Sequence, residues 1–233
     1  MTHKIIRTED GSNSIFVESL GQSYHSSFGA IAESQHIFIK DGLQFINPIS
    51  DINILEIGFG TGLNALLSLA FAREHKIKIN YFGIEKYPLK MEEVEKLNYS
   101  GMIDRVDNHD FNNIHLVEWN EEIPVDDNFI LHKSNQDIKN MSLRENYFDL
   151  VFFDAFSPEQ QPLLWSEAVF ANIYKSMKAR AVMTTYSVKG DVKRALKMVG
   201  FNMEKIPGPK GKREILRIQK RYFGTKTLIN QNH

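Results

Sequence analysis

The stretch ILEIGFGTGLN, residues 54–64, decides the fold. An apolar strand runs into a loop with three glycines, and a helical segment follows at once. Glycine permits positive φ and lets a ligand approach the backbone closely. The amino terminus of the helix adds free N–H groups and a partial positive charge. This strand–loop–helix pattern predicts a site for a nucleotide-like ligand.

The spacing of the glycines indicates which kind of ligand the loop binds. Gly58, Gly60 and Gly62 form Gly-x-Gly-x-Gly, whereas the dinucleotide fingerprint is Gly-x-Gly-x-x-Gly. Glu56, just before the loop, would repel a pyrophosphate and suits a cation with an amino group. S-adenosyl-L-methionine carries both a sulfonium and an α-amino group. We therefore predict this cofactor, and the loop contacts expected for it are Glu56, Gly58, Gly60, Thr61, Gly62 and Asn64.

Strands alternate with helices around this stretch. The predicted strands are 53–57, 79–84, 129–132, 148–153, 181–186, 201–205 and 214–219, and the predicted helices are 63–74, 90–98, 164–176 and 188–199. Near-continuous apolar strands such as 150–153 suit a sheet that is covered on both faces. The pattern predicts an α/β fold with a seven-stranded, mostly parallel sheet and helices on both faces.

Acidic residues follow two further strands. Glu85 ends the second strand, where a carboxylate can accept both ribose hydroxyls. Asp137 follows the third strand and is predicted to accept a hydrogen bond from the adenine amino group. The carboxyl ends of parallel strands share one edge of the sheet, so these acids are expected at the same crevice as the glycine loop.

The domain organisation is predicted in three parts. Residues 1–48 form a β-hairpin around an Asp-Gly turn and a helix over 31–45, and are expected to cover the active site. Residues 49–223 form the main domain, with an insertion at about 100–128, and residues 224–233 are expected to be a flexible tail.

Composition excludes several classes of protein. The 233 residues are 42% hydrophobic and 24% charged, which is typical of a globular domain. The absence of cysteine excludes disulfides, thiolate metal sites and the thiolate that pyrimidine C5 methylation needs. No apolar stretch approaches the ~20 residues that span a bilayer, and the first ten residues are not a signal peptide. We expect a soluble, cytoplasmic protein without a membrane partner. His109 and His115 lack metal-ligand spacing, so no metal is expected.

The fourth strand ends in FFDAFSP, residues 152–158, which enters the same crevice. Asp154 is the predicted catalytic carboxylate, because an amine acceptor must lose a proton to present a free lone pair. Phe156 is predicted to be the aromatic wall beside it. The Asp-Ala-Phe-Ser-Pro run is similar to the Asp/Asn-Pro-Pro-aromatic run of amino methyltransferases, although its second position is Ala.

Charge is unevenly distributed along the chain. Fifteen of the 28 Lys and Arg residues lie within 175–226, together with only three of the 29 acidic residues. Such an asymmetry indicates an anionic partner.

Further motifs resemble one family. Beside the glycine loop these are residues 24–30, 33–39, 42–43, 85–89, 154–158 with Trp165, 185–187 and 208–214. Together they are similar to the MnmC-type methyltransferase domain, which also occurs alone as MnmD. The resemblance implies the Rossmann-like class I methyltransferase fold and methylation of the 5-aminomethyl group of 2-thiouridine at the tRNA wobble position, giving 5-methylaminomethyl-2-thiouridine.

The resemblance also implies partners and contact residues. The tRNA is expected to bind through its anticodon loop, and a separate FAD-dependent oxidase would act upstream. Lys189, Lys193, Arg194, Lys210, Lys212 and Arg213 are expected to neutralise tRNA phosphates. The aromatic residues expected to cover the acceptor or stack on a splayed-out base are Tyr24, Phe156, Trp165 and Tyr186.

Three alternatives remain open from the residues alone. One is an enzyme similar to aminopropyltransferases, which use a decarboxylated relative of the cofactor. The second is an N-methyltransferase of a small amine. The third is a non-catalytic RNA-binding module on a degenerate methyltransferase fold, against which the intact glycine loop and Asp154 argue.

Overall fold

The computed structural model describes residues 2–220 of the chain, so the predicted tail at 224–233 lies outside the described residues. The strands are β1 (His3–Arg7), β2 (Asn13–Val17), β3 (Gln22–Ser23), β4 (Ile52–Ile57), β5 (Ile79–Ile84), β6 (Glu122–Asp126), β7 (Phe129–Ser134), β8 (Phe148–Phe153), β9 (Met177–Thr185), β10 (Phe201–Pro207) and β11 (Glu214–Lys220). The α-helices are α1 (Ala30–Ser34), α2 (Leu63–His75), α3 (Met91–Val94), α4 (Asn108–Leu116), α5 (Glu167–Ser176) and α6 (Gly190–Val199). A π-helix, Gln35–Gln44, continues α1.

The main sheet within residues 2–220 has eight strands in the order β10-β11-β9-β8-β4-β5-β7-β6. Five neighbouring strands (β9, β8, β4, β5 and β7) run parallel to one another, whereas β6 and β11 run antiparallel to their neighbours. The predicted α/β fold with a mostly parallel sheet is confirmed. The strand added to the seven predicted ones is β6, at the edge beside β7. Its sequence, EIPVD, carries a proline and two acids, which only an edge strand accommodates readily.

Helices cover both faces of the sheet because its central strands are apolar on both sides. In β8, Leu150 and Phe152 belong to one buried cluster, while Val151 and Phe153 belong to the other. Successive side chains of a strand point to opposite faces, so each face of β8 supplies one core. The first core lies against α2 and the π-helix, and the second lies against α5 and α6.

Two predicted helices differ from those observed. The helix expected over 90–98 is limited to Met91–Val94. The helix expected over 31–45 begins as α1 and continues as a π-helix. Gly42 of the π-helix lies against the sheet, where a Cβ would come within 3.1 Å of the Phe152 ring. The π-helix therefore lies directly against β8, the strand that leads into Asp154.

The amino-terminal segment packs onto the main domain. Strands β1, β2 and β3 form a separate antiparallel sheet, yet Ile15, Ala30 and Ile37 belong to the same buried cluster as the core of the main sheet. The proposed division at residue 48 stays a prediction. Segment 100–128 carries α4 as well as β6, so it is more regular than the predicted insertion. Among residues 2–220, no helix combines the length and the apolar character needed to cross a membrane.

Candidate active site

One cavity of about 1040 Å³ opens where the parallel strands β4, β5 and β8 end. The cavity has two sides, which come from different parts of the chain. The glycine-loop side consists of residues 57–61, Leu63, Asn64, Glu85 and Asp137. The Asp154 side consists of Tyr24, Glu33, Asp154, Phe156 and Lys212. Ligands of open α/β sheets bind in this position, at the carboxyl ends of the strands.

The glycine loop has a backbone that other residues would disrupt. Gly58 has φ +91°, and a Cβ on it would lie 2.5 Å from the Asp154 carbonyl oxygen. Gly60 has φ +50°, and its Cβ would lie 2.9 Å from the Tyr24 ring. Both positions therefore combine left-handed backbone with close approach, which is the reason for glycine there.

The position of Gly62 differs from the one expected for a cofactor contact. It is not among the residues that line the cavity, and its missing Cβ makes room for His115, whose Nε2 would otherwise be 2.7 Å away. His115 Nε2 donates to the Thr61 carbonyl oxygen at 3.1 Å, and burial lowers the pKa of His115 to about 4. Gly62 thus lets α4 support the loop from behind, and its predicted cofactor contact stays a prediction.

Glu56 also differs from the predicted cofactor contact. Its side chain is fully buried and does not line the cavity. Tyr81 OH donates to its Oε2 and Asn64 Nδ2 donates to its Oε1, both at 2.8 Å. Burial raises the pKa of Glu56 well above its ordinary value, and the nearby Asp154 adds to the effect. The strand turns Glu56 toward the core, where it orients Asn64, and its predicted cofactor contact stays a prediction.

Asn64 links the two sides of the cavity. Its Nδ2 donates to Asp154 Oδ2 at 2.9 Å as well as to Glu56. Its buried Oδ1 has no hydrogen-bond donor among residues 2–220, although the residue lines the cavity. A buried acceptor without a donor is costly, so this oxygen is suited to a ligand that carries an N–H group.

Glu85 lies at the end of β5 and lines the cavity, as predicted. Gly60 N–H donates to its Oε2 at 3.0 Å and Tyr87 N–H donates to its Oε1 at 2.9 Å. Burial raises its pKa above the ordinary value. Each carboxylate oxygen has a second lone pair, so the pair can accept two further hydrogen bonds from a diol.

Asp137 also lines the cavity, but lysines already engage it. Lys86 Nζ donates to Oδ2 at 3.0 Å, and Lys139 N–H donates to Oδ1 at 3.1 Å. Partial burial opposes ionisation, yet these hydrogen bonds hold the pKa of Asp137 below its ordinary value. Its predicted contact with adenine stays a prediction.

The Asp154 side holds the predicted catalytic carboxylate. Burial, with the negative charge of Glu33, raises the pKa of Asp154 to about 7. The ring of Phe156 packs edge-on against Tyr24, with centroids 4.8 Å apart. Tyr186 lines the cavity as well and donates from its hydroxyl to the Ala155 carbonyl oxygen at 2.8 Å. A carboxylate that titrates near neutrality among aromatic rings suits proton transfer.

Lys212 lies in the cavity, and the phosphate contact that the sequence predicts for it stays a prediction. Its Nζ donates to Glu33 Oε1 at 2.5 Å. Sequence analysis missed Glu33 as a site residue, although it belongs to one of the family motifs. Two rim residues, Tyr87 and Leu163, were also missed; they are 54% and 64% exposed while lining the cavity.

Trp165 lies in the core of the structure. It is only 5% exposed and does not line the cavity. Its ring packs against Phe153 and Phe170, and its Nε1 donates to the Phe156 carbonyl oxygen at 2.8 Å. Trp165 therefore packs into the second core, and its predicted contact with the acceptor stays a prediction.

The other predicted tRNA residues lie on the surface. Lys189 pairs with Glu159, and Lys210 pairs with Glu9 at 2.6 Å. Arg213 is exposed on the loop between β10 and β11. Surface ion pairs are weak, so these side chains can exchange their partners for phosphates.

One group of potential metal ligands lies outside the cavity. Asp107, His109 and Asp110 offer ligand atoms within 4.8 Å of one another. Arg73 already donates to both Asp110 oxygens, at 2.6 and 2.7 Å. The group therefore has a cation of its own, and the expectation of no metal stays a prediction.

Comparisons with known proteins show what this chain is similar to. Residues 113–221 match the family described as S-adenosyl-L-methionine-dependent methyltransferase. The tRNA 5-methylaminomethyl-2-thiouridine biosynthesis bifunctional protein MnmC of Burkholderia mallei (strain SAVP1) is 29% identical over 231 residues, covering 91% of this chain. The crystal structure of MnmC2 from Aquifex aeolicus superposes with a TM-score of 0.75 at 25% identity, covering 94% of this chain and 70% of that chain. The chain is therefore similar to the methyltransferase domain of MnmC-type proteins.

Two further comparisons define the limits of this likeness. The chain spans about a third of the length of the curated relatives it matches, 34% for both the protein above and MnmC of Burkholderia pseudomallei (strain 668). Spermidine synthase from Thermotoga maritima superposes with a TM-score of 0.52 at 12% identity, covering 94% of this chain and 72% of that chain. This second likeness concerns the fold alone.

S-adenosyl-L-methionine is the cofactor of this methyltransferase domain, and the residues of the cavity fit it. The unpaired Asn64 Oδ1 can accept from the α-amino group of the cofactor. Glu85 retains acceptor sites for the ribose hydroxyls. The space left by the absent side chains of Gly58 and Gly60 gives the ligand access to the loop backbone.

Proposed function

We propose that the domain methylates the amine of 5-aminomethyl-2-thiouridine at the wobble position of tRNA, giving 5-methylaminomethyl-2-thiouridine. The observation that carries the proposal is the buried Asp154 carboxylate, with a pKa of about 7, beside Phe156 and Tyr24. The names of the MnmC relatives support this acceptor. A primary amine is protonated at neutral pH, so a nearby base is needed before its nitrogen can act as a nucleophile.

The cavity residues described above divide the tasks of this reaction among them. The cofactor supplies a methyl group on a positively charged sulfur. Asn64, Glu85 and the glycine loop, including Thr61, hold the cofactor, and Asp137 lies where the adenine is expected. Asp154 accepts a proton from the acceptor ammonium through its carboxylate. Phe156 and Tyr24 exclude water and fix the acceptor, because methyl transfer depends chiefly on alignment of the reacting atoms.

The tRNA is proposed to bind across the mouth of this cavity. Lys189, Lys210 and Arg213 would neutralise phosphates without reading sequence. A base lifted out of the anticodon loop would enter the cavity and stack on an aromatic ring, for which Tyr186 is the candidate. The aminomethyl substrate requires an earlier oxidation, which we assign to an FAD-dependent oxidase acting upstream, in keeping with the bifunctional relatives.

The test is a nucleoside mass spectrum. The protein and S-adenosyl-L-methionine are incubated with tRNA that carries 5-aminomethyl-2-thiouridine. We expect this nucleoside to gain the mass of one methylene unit, the net result of replacing N–H by N–CH₃. Asp154→Asn should bind the cofactor but convert less than about one hundredth as much nucleoside in the same time. Cofactor binding without any gain in nucleoside mass would overturn the acceptor and leave a small amine as the next candidate.

A second experiment separates the domain from aminopropyltransferases. Those enzymes transfer from the decarboxylated form of the cofactor, so a calorimetric titration of both forms is informative. We expect the methionine form to bind more tightly, and tighter binding of the decarboxylated form would contradict the proposed reaction.

A further inference from the structure

Glu33 and Lys212 form an ion pair inside the cavity, from opposite ends of the chain. Lys212 Nζ donates to Glu33 Oε1 at 2.5 Å, and Ser26 N–H donates to Glu33 Oε2 at 2.7 Å. Glu33 is 8% exposed, whereas the Lys212 side chain is 28% exposed. The carboxylate is therefore fixed in place by a backbone amide, and the lysine reaches it from the open side.

The surroundings of the Lys212 ammonium are those of a cation site. Its Nζ lies 5.3 Å from the centroid of the Tyr186 ring, within the range of a cation–π contact. The neighbouring His25 is buried and neutral, with a pKa lowered to about 4, so it does not compete as a cation. A carboxylate and an aromatic face thus surround one positive charge.

This cation site is electrostatically coupled to Asp154. The charge of Glu33 raises the pKa of Asp154, and the charge of Lys212 lowers it. Both effects require that the pair lies close to the catalytic carboxylate, and all three residues line the same cavity. An ammonium ion bound at Glu33 would therefore lie in the same cavity as Asp154.

We propose that Glu33 and Tyr186 form the binding subsite for the ammonium group of the acceptor, and that Lys212 occupies this subsite until the acceptor enters. Removing a partner from a buried charge is costly, so Glu33 needs a cation at all times. A protonated primary amine supplies one as Lys212 withdraws toward solvent. The inference rests on the proposed function, because it assumes that the acceptor is an amine.

The test uses binding of benzylammonium, with benzyl alcohol as an uncharged probe of the same shape, both followed by NMR titration in the presence of the cofactor. We expect the protein to bind benzylammonium more tightly than benzyl alcohol. Glu33→Gln should weaken benzylammonium binding about tenfold, the scale of one charged hydrogen bond, and leave benzyl alcohol and cofactor affinity unchanged. Lys212→Met should tighten benzylammonium binding, because it removes the competing cation.

The chain provides a matched control pair. Lys210 and Glu9 come from the same two regions and pair at 2.6 Å, but neither lines the cavity. Glu9→Gln should change the binding affinity for neither probe. Equal weakening of both probes by Glu33→Gln, or no preference of the unaltered protein for the ammonium, would overturn the subsite. A charge preference that depends on Glu33, in a protein that fails to methylate the tRNA, would support the subsite and overturn only the proposed acceptor.

Discussion

The two sides of the cavity differ in how the chain builds them. The glycine-loop side comes from the ends of neighbouring strands, and its loop residues are consecutive in sequence. The Asp154 side joins Glu33 to Lys212, which are 179 residues apart. The first side is thus set by local backbone geometry, and the second is set by tertiary packing. Substitutions on the first side should act on cofactor binding, and those on the second should act on the acceptor.

The largest expected effect is that of Gly60→Val. Its Cβ would lie 2.9 Å from the Tyr24 ring at φ +50°, so steric conflict and backbone strain act together. At about 1–3 kcal/mol each, these costs should weaken S-adenosyl-L-methionine binding by about 100-fold or more, as measured by calorimetry.

Gly21→Val is the matched control for Gly60→Val. Gly21 has a similar φ of +59° but has nothing within 4 Å of its Cβ position. Gly21→Val therefore imposes the backbone strain without a steric contact like that between the Gly60 position and Tyr24. Equal loss of cofactor affinity in both variants would show that strain alone matters, and that the close approach of the loop to Tyr24 is unimportant.

The same contrast explains what could be predicted from the sequence. The glycine loop, Glu85 and Asp154 follow strands whose apolar runs are visible in the sequence, so their common edge could be inferred. The inward direction of Glu56 could not, because it depends on hydrogen bonds from Tyr81 and Asn64 on other elements. Lys212 looked like a surface cation because its partner lies in a distant segment.

The second effect concerns the pH dependence that Asp154 imposes. Since its pKa is raised to about 7, turnover should rise with pH and level off above about 7, as measured by initial rates of nucleoside methylation. Asp154→Asn keeps an oxygen that can accept from Asn64 but has no base, so its rate should fall about 100-fold. A rate profile centred near the ordinary pKa of 3.8 would contradict the assignment.

The Asp154→Asn variant should also be more stable than the unaltered protein. The pKa of Asp154 is raised in the folded state, so folding favours its protonated carboxyl. The stabilising contribution of this carboxyl is therefore full below about pH 4 and is lost as the pH rises through about 7. Asparagine is neutral throughout. At pH 8 the variant should gain about 4 kcal/mol in free energy of unfolding, or about 10 °C in Tm. Below pH 4 the two should melt alike, and an equal difference at both pH values would exclude ionisation as the cause.

The smallest effect, and the one that separates core from acceptor surface most sharply, is that of Trp165→Phe. The variant loses the hydrogen bond to the Phe156 carbonyl oxygen, which should lower the free energy of unfolding by about 1–2 kcal/mol in denaturant titrations. Because Trp165 does not line the cavity, KM for the tRNA should stay unchanged. A ring that stacked on the flipped base would contribute about 1–3 kcal/mol to binding, so a tenfold rise in KM at unchanged stability would return Trp165 to the acceptor surface.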